Sequence, residues 1–459
     1  MGGSIPSLLS YVAGVAGVFR LVRSVLSFRS EPDAVVRSAA WIAAIIYGAN
    51  PNLIYLQTTA MTEPLYLALF IWALVHFSEF AQRAADEDPQ SASSALTKCG
   101  LCLFAACLTR YDGWFLAVAV CAAAAPVALL AEHSGGRLRR SFRRFVLLAV
   151  AAPALWLGYN AVIYRNPLEF ANGPYSARAI EQKASQAGVA PHPGANDLRT
   201  AASYFLKSAE LNLAEGSWQK MWLGVLLAGA GMSLVFGFRL GPLLLLLAPL
   251  PFYMLSVAYS GIPIYLPGWW PFSYYNVRYG LELLPAFAVF AALAVHFVSR
   301  LAGKLAGRAV VLPAMLLVVA ASYVSVWRAQ PISFREAWVN SRTRLALESE
   351  LATNLKKLPP DSTLLMYLGD HPGALQQAGI PLRHVIQEGS HRTWKQPSDP
   401  EGEWERALAN PARYADFVVA AEGDPVATAM QRQSLLPIAA IHVNGQPAAT
   451  IYQTHPPTR

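Results

Sequence analysis

Charged residues are scarce in this sequence, which excludes a soluble protein over most of its length. Only 14% of the 459 residues are charged and 54% are hydrophobic, whereas about a quarter are charged in an ordinary soluble domain. Up to residue 330 the apolar residues form runs of roughly 18 to 22, long enough for helices that cross a bilayer core of about 30 Å. After 330 the chain carries charges, prolines and short alternating segments. We therefore predict a transmembrane domain, 1–330, and a soluble α/β domain, 331–459.

Cysteine is also scarce, and the soluble domain contains none, which excludes disulfides within it. The four cysteines, Cys99, Cys102, Cys107 and Cys121, fall in one apolar stretch. Cys99 and Cys102 form a C-x-x-C pair, but no histidine or acid lies beside them in the sequence. The spacing therefore does not predict a metal or redox site.

The net charge of +8 does not indicate nucleic acid, because much of the basic excess lies in short loops, where it reports membrane orientation. The loops GGRLRRSFRR (135–144) and SRLAGKLAGR (299–308) are basic and short, so we predict both to be cytoplasmic. This assignment places four connections outside, together with the soluble domain: TTAMTEP (58–64), TRYDGW (109–114), the hydrophilic stretch 164–219 and the aromatic stretch 260–280.

The apolar runs predict about ten spans, at 5–27, 38–56, 64–81, 97–109, 113–131, 145–163, 220–237, 241–258, 279–299 and 309–327. With the loops so assigned, the first span runs from outside to inside. MGGSIPS, at the start, lacks the early lysine or arginine of a signal peptide. We therefore expect a further crossing helix ahead of residue 1; the alternative is an N-terminus that is translocated unaided.

Ionisable residues lie at three of the predicted outer connections: Glu63, Arg110 with Asp112, and Arg278 with Glu282. Each has a local explanation, namely helix capping for Glu63, an ion pair of Arg110 with Asp112, and an interfacial anchor for Arg278. Ionisable groups at membrane depth are costly, however, and mark functional sites. Three charged connections on one face therefore predict a shared site.

The residue types at these connections suit a lipid-linked phosphate. Arginine presents a planar fork to phosphate oxygens, and a carboxylate acts as a base toward a hydroxyl or holds a divalent metal. The sequence thus favours a transferase that uses a lipid-linked sugar and expels polyprenyl phosphate. A polar-lipid transporter or flippase is the alternative, although such proteins often show internal repeats and midplane charges, and here we find neither.

Four segments in order resemble bacterial membrane glycosyltransferases of the GT-C type, such as dolichyl-phosphate-mannose-protein mannosyltransferases and lipid A aminoarabinose transferases. They are SAAWIAAIIYGANPNLIYLQTTAMTEPLYLALFIWAL (38–74), LTRYDGWFL (108–116), YNAVIYRNPLEFANGPYSA (159–177) and YYNVRYGLELLPAFAVF (274–290). The resemblance covers the transmembrane domain and implies a GT-C-like, polytopic α-helical protein of the bacterial inner membrane and cell envelope. Its soluble domain is then extracytoplasmic.

The resemblance implies an inverting transfer on the outer face, from a polyprenyl-phosphate sugar to a hydroxyl of a protein, lipid or glycan. Its partners would be the bilayer, this donor and an acceptor that the sequence does not identify. Family members usually carry an essential aspartate, or an acidic pair, in a first outer loop, which would lie ahead of SIPSLLSYVAG. The general base is therefore expected outside this sequence, and a non-catalytic, truncated copy is a further alternative.

The resemblance also implies roles for particular residues. Glu63 matches the acid before the next helix, as a catalytic residue that either binds a divalent metal ion or positions the acceptor. The joint at 110–112 is Arg-Tyr-Asp where the family often has an Arg-Pro-Glu-like sequence. The expected substrate-binding residues are Arg110, Tyr111, Asp112, Tyr275, Asn276, Arg278 and Tyr279.

The outer stretch 164–219 and the soluble domain contain their own predicted elements. Apolar residues at helical spacing predict an amphipathic helix over 197–213. The stretch 164–219 that contains it is either a lid that excludes water from the site or a packed surface loop. After 331 the pattern predicts a polar helix at 334–356 and strands at 363–367, 384–387 and 416–421. A closing hairpin is expected at 438–453, turned at Asn444 and Gly445.

Overall fold

The computed structural model describes residues 3–27, 33–130, 136–174, 176–235, 241–301, 306–369, 371–390 and 401–455. The chain divides into two compact units, Met1–Glu336 and Ala337–Arg459, called here the membrane unit and the C-terminal unit. Residues 135 and 302–305 of the two basic loops lie outside the described residues.

The membrane unit is built from helices. Eight helical segments in the described residues are long and apolar enough to cross a bilayer. The α-helices are α1 Ser4–Ser27, α2 Asp33–Gly48, α3 Pro51–Leu56, α4 Glu63–Ala85, α5 Pro89–Thr109, α6 Asp112–Leu129, α7 Arg137–Ile163, α8 Glu169–Asn172, α9 Ala177–Gln186, α10 Leu198–Leu213, α11 Trp218–Val235, α12 Pro249–Tyr259, α13 Leu284–Leu301 and α14 Ala306–Ala329. Two 3-10 helices, Gly241–Leu247 and Val277–Leu283, lead into α12 and α13.

The span expected at 38–56 is broken into α2 and α3. Asn50 caps α3, because its side-chain oxygen accepts from the backbone N–H groups of Asn52 and Leu53 at 3.0 Å each. Pro51 follows in the first turn, where its missing N–H costs no helical hydrogen bond. The asparagine and the proline together end one helix and begin the next.

The centre of the membrane unit is α13. Every residue from Leu281 to Leu293 is buried, and α13 packs against α2, α11 and α14. A helix that is apolar and buried all round belongs to the interior of a bundle. The 3-10 turn that precedes α13 therefore places residues 277–283 within the protein.

Within the outer stretch, the helix expected at 197–213 is α10. Its buried face packs on α12, where the rings of Phe205 and Tyr253 stack with centroids 4.6 Å apart. A Cβ at Gly280 would overlap the backbone of α10 at Ser208 and Ala209, so only glycine allows this close approach. α10 is thus a packed wall beside residues 277–283.

The C-terminal unit is a small α/β fold. α15, Ile332–Leu355, runs into it from the membrane unit. The further elements are β1 Leu364–Met366, α16 Pro372–Ala378, the 3-10 helix Leu382–His384, β2 Val385–Ile386, α17 Glu403–Ala409, α18 Pro411–Tyr414, β3 Phe417–Ala421, α19 Pro425–Met430, β4 Leu436–Ile441 and β5 Ala449–Gln453.

One sheet has the strand order β2-β1-β3-β5-β4. β1 pairs in parallel with β2 and β3, while β5 pairs antiparallel with β3 and β4. The closing β4–β5 hairpin lies where the sequence predicted it, and Gly445 in its turn has a φ of 80°. The α/β character of this part of the chain is confirmed, and its extracytoplasmic location stays a prediction.

Candidate active site

Glu63 opens α4 and turns inward rather than capping the helix toward solvent. Thr62 makes no side-chain capping bond, and Pro64 occupies the first turn. Glu63 is only 1% exposed. A buried carboxylate is tolerated when it is paired and hydrogen-bonded, so its partners determine what it does.

Two arginines approach the same oxygen of Glu63. Arg278 donates from Nε to Oε1 at 2.9 Å, and Arg110 Nη1 lies 3.5 Å from that oxygen. The second oxygen, Oε2, is buried and has no hydrogen-bond partner. The structure therefore brings together the three charged connections, which are separated by up to 215 positions in the sequence.

Arg110 lies in the break between α5 and α6, in an extended conformation. Its Nε donates to Asp112 Oδ2 at 3.0 Å, so the local ion pair exists. Its Nη2 also donates to the hydroxyl of Tyr253 at 2.8 Å and forms an ion pair with Glu282 Oε1, which lies 2.9 Å away. Arg110 is thus held by partners from α6, from α12 and from the 3-10 turn ahead of α13.

Burial alone would lower the pKa of the Arg110 guanidinium. Tyr253, Glu282 and Asp112 nevertheless raise this pKa well above its usual value. The Tyr253 hydroxyl donates in turn to Glu282 at 2.7 Å. The guanidinium therefore remains charged at the centre of the cluster.

Tyr279 lies under both guanidinium groups. The Arg110 and Arg278 guanidinium carbons are 5.1 and 5.2 Å from its ring centroid. At these distances the face of the ring attracts both guanidinium groups through cation–π interactions. The ring thus holds two cations beside each other without contributing a counter-charge.

Glu336, at the start of α15, closes the cluster from the other side. Its oxygens accept from Arg278 Nη1 at 2.6 Å and from the backbone N–H groups of Asn276 and Val277 at 3.0 and 2.8 Å. Glu336 therefore caps the 3-10 turn and fixes Arg278 at the same time. Arg278 is held between two carboxylates while its side chain stays 23% exposed.

A buried asparagine network supports this arrangement. Asn50 and Asn52 donate to the carbonyl oxygen of Asn212 at 2.9 and 3.1 Å, and Asn212 donates to Val277 O at 2.8 Å. Asn52 also accepts from the backbone N–H of Ser333 at 2.9 Å. The α2–α3 break, the end of α10, the 3-10 turn and the start of α15 are thereby joined.

Of the predicted site residues, five meet in the charged cluster: Glu63, Arg110, Asp112, Arg278 and Tyr279. Asn276 shapes the turn, with a φ of 57° and a bond from Nδ2 to Pro263 O of 2.9 Å. Tyr111 and Tyr275 lie outside the cluster and are exposed. Tyr111 stacks on Phe170 with centroids 4.9 Å apart.

The cluster does not have the form of a metal centre. Four carboxylates, Glu63, Asp112, Glu282 and Glu336, contact two guanidinium groups, so arginine occupies the space between the acids. Among the described residues no group of three or more histidines, cysteines or acids is arranged to hold a metal ion. These contacts give no support to the metal expected at Glu63.

Comparison with known proteins identifies the fold. No protein-family model matches the sequence, and neither does any curated protein. A solved structure does match: the crystal structure of ArnT from Cupriavidus metallidurans bound to undecaprenyl phosphate. The TM-score is 0.55 at 13% sequence identity, over 99% of this chain and 84% of that one. The chain therefore has an ArnT-like fold, which confirms the polytopic, GT-C-like architecture predicted from the sequence.

Proposed function

We propose that this protein is a membrane glycosyltransferase that moves a sugar from a polyprenyl-phosphate donor to an acceptor hydroxyl on the outer face, with inversion. The fold supports the proposal, because the similar ArnT structure contains undecaprenyl phosphate. The observation that carries it is Arg278, a partly exposed guanidinium held by Glu63 and Glu336 over the ring of Tyr279. A cation fixed in this way meets a phosphate without being reorganised.

We assign different roles to Arg110 and Arg278. Arg110 is 14% exposed, and its bonds go to Asp112, Tyr253 and Glu282. Its role is therefore to stabilise the cluster. Arg278 is the more exposed of the two, and we assign it to the donor phosphate, where its charge stabilises the leaving group.

Glu63 contributes to the transfer by orienting the side chain of Arg278. Its carboxylate is buried, and its free oxygen is closed to solvent, so an acceptor sugar does not reach it in this arrangement. The paired oxygen orients the Arg278 Nε, which makes Glu63 a positioning residue. A charge-assisted bond of this kind is among the stronger ones available to a side chain.

The proposed transfer is a single displacement at the anomeric carbon of the sugar. A bond forms between the acceptor oxygen and the anomeric carbon, and the bond from that carbon to the phosphate oxygen breaks. The electron pair leaves with the polyprenyl phosphate beside Arg278, and the hydroxyl proton passes to a base. The cluster carboxylates are buried, so we assign this base to a group outside the charged cluster.

The test is transfer of radiolabelled sugar from a polyprenyl-phosphate donor by the protein in proteoliposomes. Arg278→Ala should lower the rate by roughly 10²- to 10³-fold, the cost of removing one preorganised donor from a transition state. Glu63→Gln should lower it in the same direction. Glu79→Gln is the matched control, because Glu79 lies on the same helix and also pairs with an arginine, Arg20, at 2.7 Å.

Three other results would each redirect the proposal. Unchanged transfer by both site variants would remove the assignment of the site. Donor binding without transfer by the wild type would identify a non-catalytic copy. Movement of the intact lipid-linked sugar between leaflets, with no sugar released to an acceptor, would identify a transporter.

A further inference from the structure

A second cluster of arginines lies at the opposite end of α5 from the candidate active site. A cavity of about 200 Å³ opens between the beginnings of α5 and α7. It is lined by Gln90, Ser93, Arg137, Arg140, Ser141 and Arg144. This volume is several times the ~30 Å³ share of one water molecule in the liquid, so a small polar group fits.

The three arginines project from one face of α7. At about 100° per residue, Arg137, Arg140 and Arg144 fall within about 60° of one another around the helix axis. Across the cavity α5 carries Ser93, whose hydroxyl hydrogen-bonds that of Ser141 on α7. Ser141 itself is buried, so the floor of the cavity is a packed part of the bundle.

These arginines have no acidic partner in the part of the chain that the structure describes. Among the described residues no carboxylate oxygen lies within 4.0 Å of Arg137, Arg140 or Arg144, and all three are exposed. Asp88, just ahead of α5, forms no ion pair with these arginines and instead accepts from the backbone N–H of Ser91 at 3.1 Å. Three like charges on one helix face repel each other unless an anion lies between them.

The cavity also lies at a defined depth. Arg144 immediately precedes the apolar part of α7, which begins with the buried Phe145 and continues to Ile163. The cavity is therefore at the border between the apolar span and water, where phospholipid phosphates are found. Basic pockets between transmembrane helices on the cytoplasmic side suit anionic head groups, and the loop rule predicts this side to be cytoplasmic.

We propose that this cavity binds a phosphate group, and that its place at the membrane border assigns the phosphate to the head group of an anionic phospholipid. The guanidinium groups of Arg140 and Arg144 contact the phosphate oxygens, and the hydroxyl of Ser93 donates to them. The site lies at the other end of α5 from Arg110 and is independent of the proposed sugar transfer.

The experiment measures binding of phosphatidylglycerol to the purified full-length protein in neutral detergent, with phosphatidylcholine as the uncharged comparison. The variant is R140Q/R144Q. The matched control is R139Q/R143Q, which removes two arginines of the same helix that do not line the cavity. Unfolding temperatures of both variants establish that the bundle is intact.

We expect R140Q/R144Q to bind phosphatidylglycerol roughly tenfold more weakly or worse, given the usual contribution of each arginine near an anionic surface. The control pair should stay within about twofold of the wild type, since only the cavity arginines are expected to contact the lipid. Equal losses in both variants, or equal binding of the two lipids, would overturn the proposal. Inorganic phosphate that displaces the lipid at millimolar concentration would keep the phosphate site but assign it to a soluble ligand.

Discussion

The arginines beside the two ends of α5 are in opposite environments. These ends are about 30 Å apart at 1.5 Å per residue. At the end near Thr109, Arg110 is buried and contacts Asp112, Tyr253 and Glu282. At the other end three arginines stand exposed without a carboxylate within 4.0 Å among the described residues.

This comparison distinguishes an arginine whose charge stabilises the fold from arginines whose charge is available to bind a ligand. A buried guanidinium requires partners that replace water, and here they come from three separate segments. An exposed guanidinium is satisfied by water until an anion arrives. Arg278 lies between these cases, because two carboxylates hold it while part of it remains accessible.

The largest loss of stability is expected for Arg110→Ala. The substitution leaves Asp112 and Glu282 buried without their cation, which should cost about 3–5 kcal/mol of stability. The measurement is the unfolding temperature in detergent. Arg143→Ala is the control, since Arg143 is exposed on α7. Equal unfolding temperatures for the two variants would show that the buried network does not stabilise the fold.

A smaller loss is expected for Glu336→Ala. The change removes the acceptor for Arg278 Nη1 and for two backbone N–H groups, so we expect roughly 1.5–3 kcal/mol of destabilisation. Donor binding should weaken as well, because Arg278 loses one of its two supports. Glu350→Ala, an exposed acid of the same helix, is the control. A variant as stable as this control would count against the capping role.

The smallest effect on stability is expected for R140Q/R144Q. With no lipid added, the free energy of unfolding should stay within about 0.5 kcal/mol of the wild type, because exposed charges without partners contribute little. Thermal unfolding in neutral detergent checks this. A large destabilisation would mean that these arginines, like Arg110, are part of the packed structure.

Much of the architecture could be predicted from the sequence, because apolar length and loop charge act locally along the chain. The joint at 110–112 separates α5 from α6, and α4 begins at Glu63. The break at Asn50 and Pro51 was missed, although two asparagines flanking a proline within an apolar run are a signal for it. A run of apolar residues identifies a span but does not reveal where an asparagine caps a new helix.

The site was only partly predictable because its partners are distant in sequence. Tyr253 contacts Asp112 across 141 positions, and Glu336 contacts Arg278 across 58. In the sequence Tyr253 reads as one aromatic residue of an apolar span, and Glu336 as one charge on a polar helix. Only the positions of α12 and of the start of α15 in the fold show that both face the arginines.

The central claim is that Arg278, held by Glu63 and Glu336, binds the phosphate of a lipid-linked donor. The most direct measurement is the affinity of undecaprenyl phosphate for the wild type, for Arg278→Gln and for R140Q/R144Q. We predict that binding weakens roughly tenfold or more in Arg278→Gln, the cost of one charge-assisted bond, and is unchanged in R140Q/R144Q. Unchanged affinity in Arg278→Gln, or a loss confined to R140Q/R144Q, would contradict the account.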